Sequence, residues 1–114
     1  MLPEVNRLKP GRDFRRVFKY GKVSENDFVK IKFLKNHLKY PQFGFIVSNK
    51  FAKKAATRNL VKRRLRAAVR SLLKDIKIGF SVAVWPKAAL KKSSYRALLS
   101  NFKDLLIRND ILLI

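Results

Sequence analysis

The sequence predicts one folded domain that mixes helices and strands, in the order helix, strands, helix, strand, helix, beneath a strongly positive surface. Three observations lead there. Apolar residues recur at helical spacing in some segments and alternate at strand spacing in others. Four Gly and four Pro are spread thinly over 114 residues, and no linker, low-complexity tract or internal repeat divides them. The chain holds 28 Lys plus Arg against 7 Asp plus Glu, a net charge of +21, yet it is 47% hydrophobic and 11% aromatic. That is too apolar for a disordered basic tail.

The opening LPEVNRLKPG, with two prolines and mixed charge, should run extended to Gly11. A short helix follows from around Asp13 and ends at Gly21, with Phe14, Val17 and Phe18 at i, i+3 and i+4 on one face. FVKIKFLK from Phe28 alternates: Val29, Ile31 and Phe33 fall on one side, Lys30 and Lys32 on the other. A turn containing Asn36, His37 and Pro41 leads to FGFIVS at 43–48, and the two segments are expected to form an antiparallel hairpin. A third strand, FSVAVW at 80–85, ends at Pro86. A long helix starts near Thr57, and another from about Ser93 carries Tyr95, Leu98, Leu99, Phe102, Leu105 and Leu106 as an apolar stripe.

The long helix is the most informative stretch. Around it Val61, Leu65, Ala68, Val69, Leu72 and Ile76 gather on one arc, while Asn59, Arg63, Arg66 and Arg70 gather opposite, flanked by Lys62 and Arg64. Leu60 falls outside the apolar arc and should be exposed or at a contact. A cationic helix face is ordinarily balanced by acids at i±4. Here none is available: between Asp27 and Asp75 there is no Asp or Glu, against fourteen Lys and Arg from Lys30 to Lys74. Repulsion at that density favours a polyanionic partner, nucleic acid before an anionic membrane, and the planar guanidinium fork grips phosphate oxygens in pairs.

Other functions are narrowed by what the chain lacks. Without cysteine there is no disulfide framework, thiolate nucleophile or zinc finger. The longest apolar stretches fall far short of the roughly 20 residues needed to span a bilayer, and the chain reads as soluble and cytoplasmic, with no membrane partner and no small-molecule substrate. Its one histidine, His37, reads as a solvated loop residue. Glu25 and Asp27 read as countercharges to Lys22 or Lys30, since a metal pair needs further ligands. No catalytic residue and no bound metal is expected.

The run KFAKKAATRNLVKRRLR at 50–66 resembles the signature of the bacterial ribonuclease P protein subunit, in which a short basic loop leads into R-N-x-x-K-R-x-x-R at the start of a long helix. Arg58, Asn59, Lys62, Arg63 and Arg66 match it position by position. NRL at 6–8, RDFRRVFKYG at 12–21 and FGFIVSNK at 43–50 resemble the family's opening and its strand, so the likeness covers nearly the whole chain. Three positions depart from it: Leu60 stands where arginine often repeats, Asn49 where a lysine pair is usual, and Trp85 where arginine is common.

The resemblance implies a small α+β fold over residues 1–114, a single RNA-binding domain whose central mixed sheet is packed by helices, with a left-handed βαβ crossover through the basic helix. It implies a subunit, one per RNA, of a ribonucleoprotein whose RNA removes the 5′ leader from precursor tRNA. The protein assists, and the RNA subunit requires Mg²⁺. It further implies two RNA surfaces. The catalytic RNA would meet Lys53, Lys54, Arg58, Asn59, Lys62, Arg63, Arg66 and Arg70. The single-stranded leader would meet Phe14 and Phe18, beside the positive groove that Lys30, Lys32 and Lys50 supply. A basic ribosomal structural protein is the alternative, and a helix-turn-helix DNA binder would need a helix, not FGFIVS, before the basic one.

Overall fold

A computed structural model describes residues 2–113. The helical patterns become α1 (Arg12–Tyr20), α2 (Ala55–Leu72) and α3 (Tyr95–Arg108). α3 opens at Ser94, whose hydroxyl oxygen accepts the Ala97 N–H at 3.1 Å, a capping bond that satisfies one of the helix's orphan donors. In α2 the apolar arc is buried as its spacing dictates: Val61, Leu65, Ala68, Val69 and Leu72 inside the helix, and Ile76 after the short 3₁₀ turn that ends it. Tyr95, at the start of the α3 stripe, is exposed.

Four strands, β1 (Lys22–Glu25), β2 (Val29–Lys35), β3 (Gln42–Phe45) and β4 (Phe80–Pro86), form one sheet in the order β1-β2-β4-β3. The expected hairpin between FVKIKFLK and FGFIVS does not form, because β4 lies between them. It runs antiparallel to β2, with Ile31 opposite Val84, and parallel to β3, with Phe43 beside Val82. β4 takes that central place because it is apolar on both faces: Val82, Ala83 and Val84 are all 0% exposed, the pattern of a strand covered on both sides. Residues 36–41 need span only two strand spacings, about 10 Å.

The hairpin forms one step earlier, between β1 and β2, where the sequence shows no alternation. Asn26 makes the turn: its Oδ1 accepts the N–H groups of Phe28 and Val29, both at 2.9 Å. β1 is then a strand because β2 offers it an edge. β3 is shorter than FGFIVS, ending at Phe45, although the Ile46 N–H still donates to the Val84 carbonyl at 2.8 Å. The parallel pair β3 and β4 is joined through α2, so a βαβ crossover passes through the basic helix. A strand therefore precedes that helix, which excludes helix-turn-helix geometry.

The sheet's two faces differ. Val29, Ile31, Phe43, Val82 and Val84 pack against the α2 arc and against Leu98, Phe102, Leu105 and Leu106 of α3. The other face meets α1 and the N-terminal segment, where Val17 and Leu8 are buried on Ala83 and Phe14, Leu34, Ile46 and Trp85 are partly covered. The N-terminal segment runs along the outer edge of β3: Arg7 bridges Phe43, and the Leu8 N–H donates to the Phe43 carbonyl at 2.9 Å. Gly44 sits beneath α1, and a Cβ there would lie 2.2 Å from Phe14 Cζ. The Phe14 ring therefore rests on bare backbone, which only glycine provides.

Candidate nucleic-acid interface

On the outside of α2, Asn59, Arg63 and Arg70 are exposed, and Lys62, Arg64 and Arg66 are half-buried. Arg63, Arg66, Ala67, Arg70 and Ser71 line an open groove of about 580 Å³. None of its arginines pairs with an acid among the described residues, so the groove presents forked donors with nothing to neutralise them. Leu60 is exposed beside it, as its position off the apolar arc requires.

The approach to α2 holds a different arrangement. Phe51 and Ala52 are buried, Lys53 and Lys54 exposed, and Arg58 turns back so that Nη1 donates to the carbonyls of Ala52 at 2.9 Å and Lys53 at 2.7 Å. Arg58 thus fixes the basic loop through Nη1, leaving Nε and Nη2 without a hydrogen-bond partner among the described residues. The first turn of α2 contains no acid. Cations crowding the positive end of a helix are unfavourable until an anion joins them, and such an end is a ready phosphate site.

Beneath α1 the structure builds a row of rings. The centroids of Phe14 and Phe18 lie 5.6 Å apart, as do those of Phe18 and Trp85, and Lys30 Nζ stands 5.4 Å from the Trp85 centroid. Phe14 is half-buried over Gly44, whereas Phe18 is 41% exposed. Lys32 donates from Nζ to the Phe18 carbonyl, so it caps the end of α1 as well as bordering the row. Lys50 lies apart, exposed in the turn that leads into α2, and none of the described contacts joins it to the rings. Trp85 is the member that sequence reading missed. Its place on β4 carried the signal: it shares parity with Ser81 and Ala83, opposite to Val82 and Val84.

The two surfaces meet at the outer edge of β3, where Arg66 and Arg7 line a cavity of about 240 Å³ together with Phe14 and Gly44. Glu25 and His37 lie outside both surfaces. Glu25 forms its ion pair with Lys87, and that hydrogen bond and charge, with a lesser contribution from the charge of Lys30, hold its carboxyl below the usual carboxylate range against the opposing effect of burial. His37 is exposed in the loop between β2 and β3. Among the described residues, no three His, Cys, Asp or Glu side chains gather, and no helix is long and apolar enough to cross a membrane.

An unpaired arginine groove on one side of a sheet and a lysine-bordered row of rings on the other define a small, basic α+β RNA-binding protein. The Ribonuclease P family model matches residues 2–110. The ribonuclease P protein component of Picosynechococcus is 34% identical over 96% of this chain and 95% of its own length, and that of Clostridioides difficile is 35% identical over 91% of each. The chain belongs to the ribonuclease P protein family. Among solved structures, the RNase P protein of Thermotoga maritima superposes with a TM-score of 0.82 at 33% identity, covering 90% of this chain and 96% of that one. A mutant Staphylococcus aureus RNase P protein gives 0.88 at 22% identity over 96% and 92%, which shows the shared fold. The function is therefore that of the protein component of ribonuclease P, part of the endonuclease that processes tRNA, and the ribosomal reading falls.

Proposed function

We propose that the α2 ridge and its basic loop dock on the catalytic RNA while the ring row beneath α1 carries the 5′ leader of precursor tRNA. The observation that carries this reading is the Phe14, Phe18 and Trp85 row with Lys30 over its end. Stacked, partly exposed rings beside cations bind single strands with little regard to sequence. To the residues inferred from the sequence (Phe14, Phe18, Lys30, Lys32 and Lys50) the geometry adds Trp85, while Lys50 groups by position with Lys53 and Lys54. On α2, Asn59, Lys62, Arg63, Arg66 and Arg70 contact phosphates directly, and Arg58 acts partly by holding the loop.

In this reading one protein joins one RNA in the cytoplasm, the RNA performs the hydrolysis, and Mg²⁺ belongs to the RNA. The protein supplies fixed cations, which substitute for diffuse ones around crowded phosphates and lower the Mg²⁺ the ribozyme needs. The test is to mix the chain with a bacterial ribonuclease P RNA and precursor tRNA at low Mg²⁺. Leader cleavage should appear with both partners present and with neither alone. Sustained cleavage by nuclease-free protein without the RNA overturns the division of labour.

A further inference from the structure

The other flank of α1 borders a cavity of about 290 Å³ whose lining differs in kind from both surfaces already described. Asp13 and Arg16 come from α1, Lys35 and Asn36 from the end of β2, Gln42 from β3 and Ser81 from β4. Its size suits one base rather than a length of strand, being near the roughly 300 Å³ lower end of ligand sites. Several of its polar groups are unengaged. Ser81, only 6% exposed, accepts from Asn36 Nδ2 at 2.8 Å, so its own O–H remains to donate. Asn36 Oδ1 is taken by the Leu38 N–H at 2.9 Å. Asp13 and Gln42 have no side-chain hydrogen bond or ion pair among the described residues.

Asp13 is the informative member. A carboxylate repels the phosphates that the rest of this +21 chain attracts, so its use toward RNA must be with a base edge. Its two oxygens accept best from two adjacent N–H donors. Among the four bases only guanine presents them, N1–H beside the N2 amine. Adenine and cytosine set a ring-nitrogen acceptor next to their amine, and uracil flanks N3–H with two carbonyls. Guanine also places O6 next to N1–H, where the Ser81 hydroxyl or Gln42 amide can donate. Arg16 and Lys35 stand at the rim for the neighbouring phosphates.

We infer that this cavity reads one guanine base of the single strand that the ring row on the opposite flank of α1 carries. The inference rests on the leader assignment above and adds to it a preference that a stacking row alone does not provide, since single-stranded RNA is read through base edges.

The test uses the holoenzyme, assembled with the RNA subunit, and precursor tRNAs whose leaders are all uridine except for one guanosine moved stepwise along them. At one leader position guanosine should strengthen binding by about tenfold, the worth of a good paired contact to a base edge, and inosine, lacking the N2 amine, should recover only part. Asp13→Asn should erase that preference while the all-uridine leader binds at least as tightly as before, and Ser81→Ala should reduce it less. A leader that adds affinity with no position favouring guanosine more than about twofold overturns the guanine cavity and leaves the leader assignment standing, as does an Asp13→Asn effect equal for every leader. A leader that adds no affinity over mature tRNA overturns the leader assignment, and the cavity's role with it.

Discussion

The two faces of the sheet use the same residue type to opposite ends. Toward α2 and α3, Phe43 and Phe102 meet edge to face at 6.3 Å, 1% and 0% exposed. Toward α1, Phe18 keeps 41% of its surface in solvent and Trp85 is only partly covered. Coverage makes the difference. Helices of 18 and 14 residues close the first face, whereas α1 has 9 residues and spans about 14 Å at 1.5 Å per residue. A phenylalanine under the long helices is core, and one beside the short helix is a surface that can stack on a base. A closed core and an open row of rings are thereby separated across one sheet, and β2 records the division in its sequence, with Val29 and Ile31 buried and Lys30 and Lys32 on the side of the rings.

The largest effects should come from the closed face. Phe102→Ala should cost about 3–5 kcal/mol and Leu65→Ala about 2–5 kcal/mol of stability, as buried truncations do. All RNA binding should fall together, in step with the folded fraction seen by thermal melting. A stable Phe102→Ala protein that lost only leader affinity would invert the assignment of the two faces.

Gly44→Ala attacks the boundary between them. The added Cβ would lie 2.2 Å from Phe14 Cζ, so the ring must leave its seat, at about 1–3 kcal/mol for overpacking. Affinity for precursor tRNA should drop while affinity for the RNA subunit, assigned to α2 in the proposal above, should be kept. Unchanged precursor affinity would remove Phe14 from the leader path.

Phe18→Ala sharpens the contrast further, because so exposed a ring contributes little to the core. Stability should change by less than about 0.5 kcal/mol, yet holoenzyme affinity for precursor tRNA should fall by about 1–3 kcal/mol, with mature tRNA unaffected. Arg63→Ala or Arg70→Ala should leave folding intact, weaken RNA-subunit binding by about 1–3 kcal/mol and lessen the salt slope by about 1. Arg58→Ala should differ from both by also loosening the Ala52–Lys53 loop. Arginine variants with normal affinity and slope would show that the groove on α2 is not where the RNA docks.

Periodicity made the covered elements legible. The α2 arc and the β2 alternation are local patterns, and each names its buried side without knowledge of the partner. Strand order is not local. KVSE becomes β1 only because the Asn26 turn returns the chain beside it, and β3 parts from β2 because β4, apolar on both faces, takes the centre. The ring row was half legible. Phe14 and Phe18 share a helix and announce themselves by spacing, whereas Trp85 joins them from 67 residues beyond Phe18 in the chain, and Gly44 enters as the seat of Phe14 through contacts that no spacing shows.

The smallest expected effect lies where the open face meets the sheet's edge. In the register Glu25 pairs with Lys30, and Lys30 with Trp85, so the Glu25–Lys87 ion pair ties the edge strand β1 to the end of β4 beside the last ring. Lys87 holds the Glu25 carboxyl below its ordinary value of 4.5. A carboxyl lowered on folding stabilises above its unfolded value, and that contribution is lost as pH falls through the folded one. Wild type should therefore melt slightly above Lys87→Met near neutral pH, with the gap closing as the pH drops below 4.5. The gap is small because exposed ion pairs contribute little, and methionine keeps the aliphatic stem, so packing is nearly unchanged. Leader affinity at neutral pH should not move, since the pair touches neither Phe18 nor Phe14. A gap that persists in acid would mean that Lys87 stabilises by something other than its charge. A loss of leader affinity would mean that Lys30 and Trp85 depend on β1 being held, extending the binding face to the edge of the sheet.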